Sequence, residues 1–179
     1  MTVTGIAIAI IVILVLAAAV WFFTQQRRRG ERLREHFGPE YDRTVEAYGD
    51  RGPAEKALEA RTERVKGLRI HSLSTEQRQR YGEQWRQVQA RFVDDPEGAI
   101  HDADQLCGEV MQTRGYPMAD FEQRAADVSV DHPGVVEHYR AAHAIAINDN
   151  AATEDLRQAM VHYRTLFQDL IEIREPVRG

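Results

Sequence analysis

The first 23 residues constrain this chain more than any other part of it. They contain 20 apolar side chains and no charged one. From Gly5 to Phe23 the chain has 19 residues without a charge. A helix rises about 1.5 Å per residue, so a helix of this length spans the roughly 30 Å hydrocarbon core of a bilayer. The sequence therefore predicts a transmembrane anchor in residues 1–24, with residues 3–23 in the lipid bilayer.

Arginines follow the apolar segment directly and give the predicted anchor a direction. We call these five residues the basic cluster: Arg27, Arg28, Arg29, Arg32 and Arg34. Basic residues that flank a membrane helix favour the cytoplasmic side. We therefore expect a single-pass protein of the bacterial inner membrane, with its N-terminus outside and its C-terminal domain in the cytoplasm. The cluster is also suited to anionic lipid, although setting the topology would be a sufficient role for it.

A cleaved signal peptide is the alternative interpretation of the same segment. Ala17, Ala18 and Ala19 resemble a small-residue cleavage site. However, no basic residue precedes the apolar run, and the run is longer than the roughly 7–15 residues typical of secretory signals. We therefore favour an uncleaved anchor, and the protein would be secreted only if cleavage occurred.

The remainder of the chain is charge-rich and has helical periodicity. Apolar residues make up about 37% of residues 24–179, and no stretch alternates with the period of a strand. We predict an all-α fold in which the anchor helix extends through a basic juxtamembrane helix at residues 25–37. A charged helical segment at 38–71 would be a connecting stalk or a helix along one edge. A bundle of about four helices would occupy residues 72–179.

Local signals predict where several helices begin and end. Gly38-Pro39 should end the first helix, and Ser74 with Gln77 has the pattern of a capping box. Asp95-Pro96 should begin another helix, which Gly115 should end.

The C-terminal part of the chain carries weaker signals. We predict a short helix over Met118–Asp127, a helix that begins at Asp131-His132-Pro133, and a last helix that Thr153 caps. Asn148-Asp149-Asn150 should separate the last two helices. The lone Cys107 has apolar neighbours, which predicts a buried thiol.

The sequence contains no recognised catalytic or nucleotide-binding motif. It lacks H-E-x-x-H, Glu-x-x-His, G-x-S-x-G, G-x-G-x-x-G and the Walker A pattern. We expect a protein that is not an enzyme and needs no metal or other cofactor. The alternative is a ligand-binding or enzymatic bundle with a pocket that His101, His132, His138 or His143 shares with nearby carboxylates.

Charge is unevenly distributed along the chain. Residues 92–179 hold 7 Arg against 17 Asp and Glu, a formal charge of −10. Such a domain repels nucleic acid, so nucleic acid is not an expected partner.

Several strings of the sequence are distinctive when they are taken together. They are Phe37-Gly38-Pro39-Glu40-Tyr41-Asp42-Arg43-Thr44-Val45, Arg91-Phe92-Val93-Asp94-Asp95-Pro96, Arg114-Gly115-Tyr116-Pro117, Arg124-Ala125-Ala126-Asp127-Val128-Ser129-Val130-Asp131-His132-Pro133 and His138-Tyr139-Arg140-Ala141-Ala142-His143. On these strings the chain resembles an uncharacterised family of bacterial single-pass membrane or secreted proteins of unknown function. The resemblance implies an N-terminal anchor and a helical domain, and it assigns no site residues.

These observations favour a membrane-anchored helical interaction or scaffold protein. The lipid bilayer and an unidentified protein are the expected partners. Lipid sensing by the basic cluster is a further possibility, alongside the histidine-lined pocket.

Overall fold

A computed structural model describes residues 3–148 and 150–172 of the chain, and it is all-helical over that part. The side chains of residues 3–10, 12, 15, 22, 23 and 26 lie outside the description, as do residues 1, 2, 149 and 173–179. The predicted all-α fold class is therefore confirmed for the described residues. The predicted anchor falls partly on residues and side chains outside them.

The helices follow one another with short connections. They are α1 (Val3–Phe37), α2 (Pro39–Tyr48), α3 (Arg51–Lys66), α4 (Thr75–Arg91), α5 (Pro96–Arg114), α6 (Phe121–Asp131), α7 (Val136–Ala146) and α8 (Thr153–Ile171).

Among the helices of the described part, none combines the length and the apolar character that crossing a membrane requires.

Glycine and side-chain caps set several helix ends as the sequence predicts. Gly38 has φ of 53° and lies between α1 and α2, where a residue in the left-handed region ends a helix. The Ser74 hydroxyl accepts a hydrogen bond from the Gln77 backbone N–H, and the Gln77 side chain accepts one from the Ser74 N–H. Asp95 caps α5 by accepting from the Gly98 N–H at 3.0 Å.

Three boundaries in the C-terminal part differ from the prediction. The short helix starts at Phe121, because Asp120 caps it by accepting from the Gln123 N–H. The predicted helix start at Asp131-His132-Pro133 is wrong, since α6 continues to Asp131 and α7 begins only at Val136. Thr153 is the first residue of α8 and not its cap; the Asp155 carboxylate accepts from the Ala152 N–H instead.

Helix α8 lies at the centre of the bundle. It packs against α5 and α7, and α4 packs against α5. The Trp85 and Phe167 rings stack with centroids 4.7 Å apart, and Tyr163 and Leu170 are fully buried on α8. The periodic apolar residues of α4, α5, α7 and α8 thus form one core.

The charged segment that contains α2 and α3 packs along one edge of this bundle. Helix α3 contacts α6, and α2 contacts α3 and α7. Leu58 and Ala54 are fully buried, so the thin apolar stripe of α3 faces protein. The sequence allowed either a connecting stalk or an edge helix for residues 38–71, and in the structure this segment packs along the edge.

Gly115 closes α5 in a position that only glycine fits. Its φ is 101°, and a Cβ there would lie 2.4 Å from the Arg69 carbonyl oxygen.

We expect Gly115→Ala to lower the free energy of unfolding by about 2–4 kcal/mol, because backbone strain and a backbone clash combine. Gly82→Ala is the matched control. Gly82 lies inside α4 with open space around it, so the same change should stabilise the fold by about 0.5–1 kcal/mol. Denaturant unfolding measures both values, and equal effects would contradict this account of Gly115.

Candidate functional site

The basic cluster lies on the C-terminal half of α1, and all five arginines are exposed. Arg29 forms an ion pair with Glu59 of α3. Arg34 lies 3.3 Å from the carboxylate of Asp42 on α2. Two members of the cluster, Arg29 and Arg34, therefore form ion pairs that link α1 to α3 and α2. Their position next to the apolar segment did not predict this role.

A surface cavity of about 490 Å³ opens between α1, α2 and α3. Three cationic side chains contribute to its lining: Arg27 and Arg34 of the basic cluster, and Arg51 from the start of α3. The lining is completed by Gly30, Glu31, Tyr41, Gly52 and Glu55. Sequence reasoning missed Arg51, because only the fold brings the first residue of α3 beside α1.

The carboxylate of Glu55 is held within this cavity by a neighbouring phenol. The Tyr41 hydroxyl donates a hydrogen bond to Glu55 at 2.9 Å. Burial raises the pKa of Tyr41, and the hydrogen bond and negative charge of Glu55 raise it further, while Arg51 and Arg34 act in the opposite direction. The same cavity therefore brings a carboxylate, two guanidinium groups and this phenol together.

A buried polar trio connects the ends of α5, α6 and α8. Arg114 donates from Nη1 to His132 Nε2 at 2.8 Å and to the Leu170 carbonyl at 3.0 Å. Because an arginine can only donate, Nε2 of His132 must accept, and its Nδ1–H then donates to Asp169. Arg114 and His132 are each 1% exposed. This arrangement orients the imidazole, but no solvent-facing atom of it is left to react.

The four histidines proposed for a shared pocket have separate surroundings. His132 belongs to the buried trio, and His101 is exposed. His138 lies with its Nδ1 2.8 Å from that of His162, and His143 stacks on the Phe121 ring. The structure therefore does not bring these histidines into one pocket.

Two histidines have altered titration for physical reasons. Burial lowers the pKa of His162, and the neighbouring His138 lowers it further. Burial also lowers the pKa of His143, although Asp104, 3.9 Å away, opposes that effect. Both imidazoles therefore favour the neutral form. Within the described part of the chain, no three or more His, Cys, Asp or Glu side chains form a group suited to a metal ion.

Cys107 is fully buried, as its apolar neighbours predict. Burial raises the pKa of its thiol well above the usual value. A buried thiol with a raised pKa stays protonated and is a poor nucleophile.

Comparison of the chain with protein-family models, with curated proteins and with solved structures gives no match in any of the three. The resemblance to bacterial single-pass proteins therefore stays a prediction.

The buried trio should contribute to stability because its three side chains are linked by hydrogen bonds. Arg114→Met leaves His132 Nε2 and the Leu170 carbonyl buried without their donor, so we expect a loss of about 2–5 kcal/mol in the free energy of unfolding. Arg86→Met is the control, because Arg86 forms an exposed pair with Glu83 within α4 and should cost less than about 0.5 kcal/mol. Denaturant unfolding of both variants measures the difference. A loss for Arg114→Met no larger than that for Arg86→Met would contradict a structural role for the trio.

Proposed function

We propose that this protein is a membrane-anchored helical scaffold. Its helical domain would bind another protein, and the anchor would hold that domain at a fixed distance from the cytoplasmic face of the bacterial inner membrane. The proposal includes the single-pass anchor at residues 3–23, with the N-terminus outside, and a protein partner. It includes no catalytic activity, cofactor or nucleic acid.

The observation that carries the proposal is the continuity of α1 with the domain. The helix runs from Val3 to Phe37 without a break, and Phe37 is fully buried in the core. His36 Nε2 lies 2.9 Å from the Val130 carbonyl of α6, which fixes the end of α1 on the bundle. A membrane segment joined in this way would set both the height and the orientation of the domain.

The exposed surface of α1 supports the anchor. Six large apolar side chains in its N-terminal part are 59–67% exposed and are not covered by the domain: Ile11, Ile13, Leu14, Leu16, Val20 and Trp21. Exposed apolar surface of this extent is costly in water and is usually covered by a partner or a membrane. The 19 uncharged residues from Gly5 to Phe23 match the thickness of a bilayer core.

The charge distribution supports the orientation and the class of partner. The basic cluster follows the apolar segment directly, which favours a cytoplasmic domain. The distal residues 92–179, with a formal charge of −10, would be held away from anionic lipid by repulsion. A domain held off the surface in this way leaves its sides accessible to a protein.

Topology is the first property to test. We expect the full chain to stay in the membrane pellet after alkaline carbonate extraction. Alkaline phosphatase fused after Gly179 should be inactive, and green fluorescent protein fused there should fluoresce, because the C-terminus would be cytoplasmic. The control variant replaces all five arginines of the basic cluster with glutamine, which should reduce the orientation preference. High phosphatase activity of the unmodified chain, or its release as a shortened secreted product, would contradict the proposal.

The scaffold role requires a partner that the domain selects. Proximity labelling with the full chain should enrich the same protein repeatedly, and a fragment of residues 1–37, which lacks the domain, should not enrich it. Purification from detergent extracts should then recover that protein with the full chain. Repeated failure to enrich any specific protein would argue against an interaction role even if the topology is as proposed.

A further inference from the structure

We propose that the cavity between α1, α2 and α3 binds a phosphate-bearing anion, which a lipid headgroup supplies at the membrane surface. The lipid source rests on the anchor proposed above, whereas the chemistry of the cavity does not. The site deepens the proposed function, because it would give the scaffold a preference for membranes that contain a particular headgroup.

The cations of the cavity are the first argument. Arg27 and Arg51 enter the cavity from different helices, and neither has a carboxylate within ion-pair distance in the part of the chain that the structure describes. Arg34, the third cation, is shared with Asp42 at 3.3 Å. Guanidinium groups present paired donors that match the oxygens of a phosphate. Two such groups without a carboxylate partner, facing one cavity, are suited to a doubly charged anion.

The two carboxylates of the cavity, Glu55 and Glu31, differ in their surroundings. Glu55 is held by the Tyr41 hydroxyl, and its Oε1 lies so close to the backbone that a Cβ on Gly30 would be 2.5 Å from it. Glu31 is exposed on α1 and faces the same cavity. An anion in the cavity would be repelled by Glu31, so removal of that charge should strengthen binding. This expectation distinguishes an anion site from a site for a cation.

The position of the cavity is the argument for a lipid headgroup. Arg27 follows Phe23 by four residues, which is about 6 Å along the helix, and Arg34 lies about 16 Å beyond Phe23. The headgroup region of a bilayer extends about 5–8 Å on each side of the hydrocarbon core. The edge of the cavity that is formed by Arg27, nearest the apolar segment, would thus lie among the headgroups. A volume of about 490 Å³ is within the range of small-ligand sites and admits a phosphorylated headgroup.

The test uses the full chain in a neutral detergent and isothermal titration calorimetry. The probes are dihexanoyl phosphatidic acid, dihexanoyl phosphatidylcholine and inorganic phosphate. We expect saturable binding of phosphatidic acid at one site and weaker binding of the zwitterionic lipid. Inorganic phosphate binding as tightly as phosphatidic acid would support the phosphate site and assign its ligand to soluble phosphates. No saturable binding of phosphatidic acid or phosphate would overturn the proposal.

Matched variants separate the cavity from the general positive charge of this region. Arg51→Gln and Arg27→Gln should each weaken binding about tenfold, because each removes a charge-assisted contact. Arg43→Gln is the control, since Arg43 is an exposed arginine on α2 that does not line the cavity. Glu31→Gln should strengthen binding about threefold. Equal losses for Arg51→Gln and Arg43→Gln would overturn the proposal in favour of diffuse attraction.

The outcome is independent of the topology experiment. Short-chain phosphatidic acid and inorganic phosphate reach the cavity without a bilayer, so the titration tests the cavity even if the chain proves not to be anchored. Conversely, an anchored chain that binds neither probe would retain the proposed scaffold role and lose this site.

Discussion

A buried carboxylate on α2 connects the N-terminal helices to the bundle. Glu40, near the start of α2, is 1% exposed. Its Oε1 accepts from Arg61 of α3 at 2.9 Å and from Arg140 of α7 at 3.0 Å. Arg140 also donates to Glu122 of α6 at 2.6 Å. An isolated buried charge is very unfavourable. We therefore expect the contacts that α3 and α7 make with Glu40 of α2 to form and break together.

This constraint extends to α1 and to the cavity beside it. Only Gly38 separates Phe37, the last residue of α1, from α2, so fixing α2 through Glu40 also fixes the end of α1. Arg64 of α3 pairs with Asp127 of α6, a second connection between the edge helices and the bundle. The junction combines these ion pairs with apolar packing, because Phe37, Tyr41, Leu58 and Val65 belong to the same buried core as the bundle. The cavity lies between the same N-terminal helices, α1, α2 and α3.

Several helix ends that the sequence patterns placed correctly have a local physical cause. Gly38, Gly115 and the Ser74–Gln77 pair act within one helical turn, so their residue types and spacing were sufficient to place helix ends. The error at Asp131-His132-Pro133 has a long-range cause. His132 is held by Arg114 and by Asp169, which is 37 residues away, and a pattern of helix-start residues does not reveal such partners.

The candidate site was less predictable than the helices for the same reason. The basic cluster is evident from its position, but its partners Glu59 and Asp42 and the cavity residue Arg51 come from separate helices. Glu40 and Arg140 are 100 residues apart. With 21 Arg and 28 acidic residues in the chain, charge alone allows far too many pairings for the sequence to select these. Only the packing of α2 on α3 and α7 selects them.

The proposed scaffold requires that α1 and α2 belong to the same rigid body as the bundle. Hydrogen–deuterium exchange of the full chain in lipid bilayers tests it directly, with the backbone amides of residues 31–48 compared with those of α8. We predict slow exchange of both segments with similar protection, since both would open only when the domain unfolds as a whole. Exchange of residues 31–48 within seconds, while α8 stays protected, would contradict the claim and show that the anchor is a loose tether.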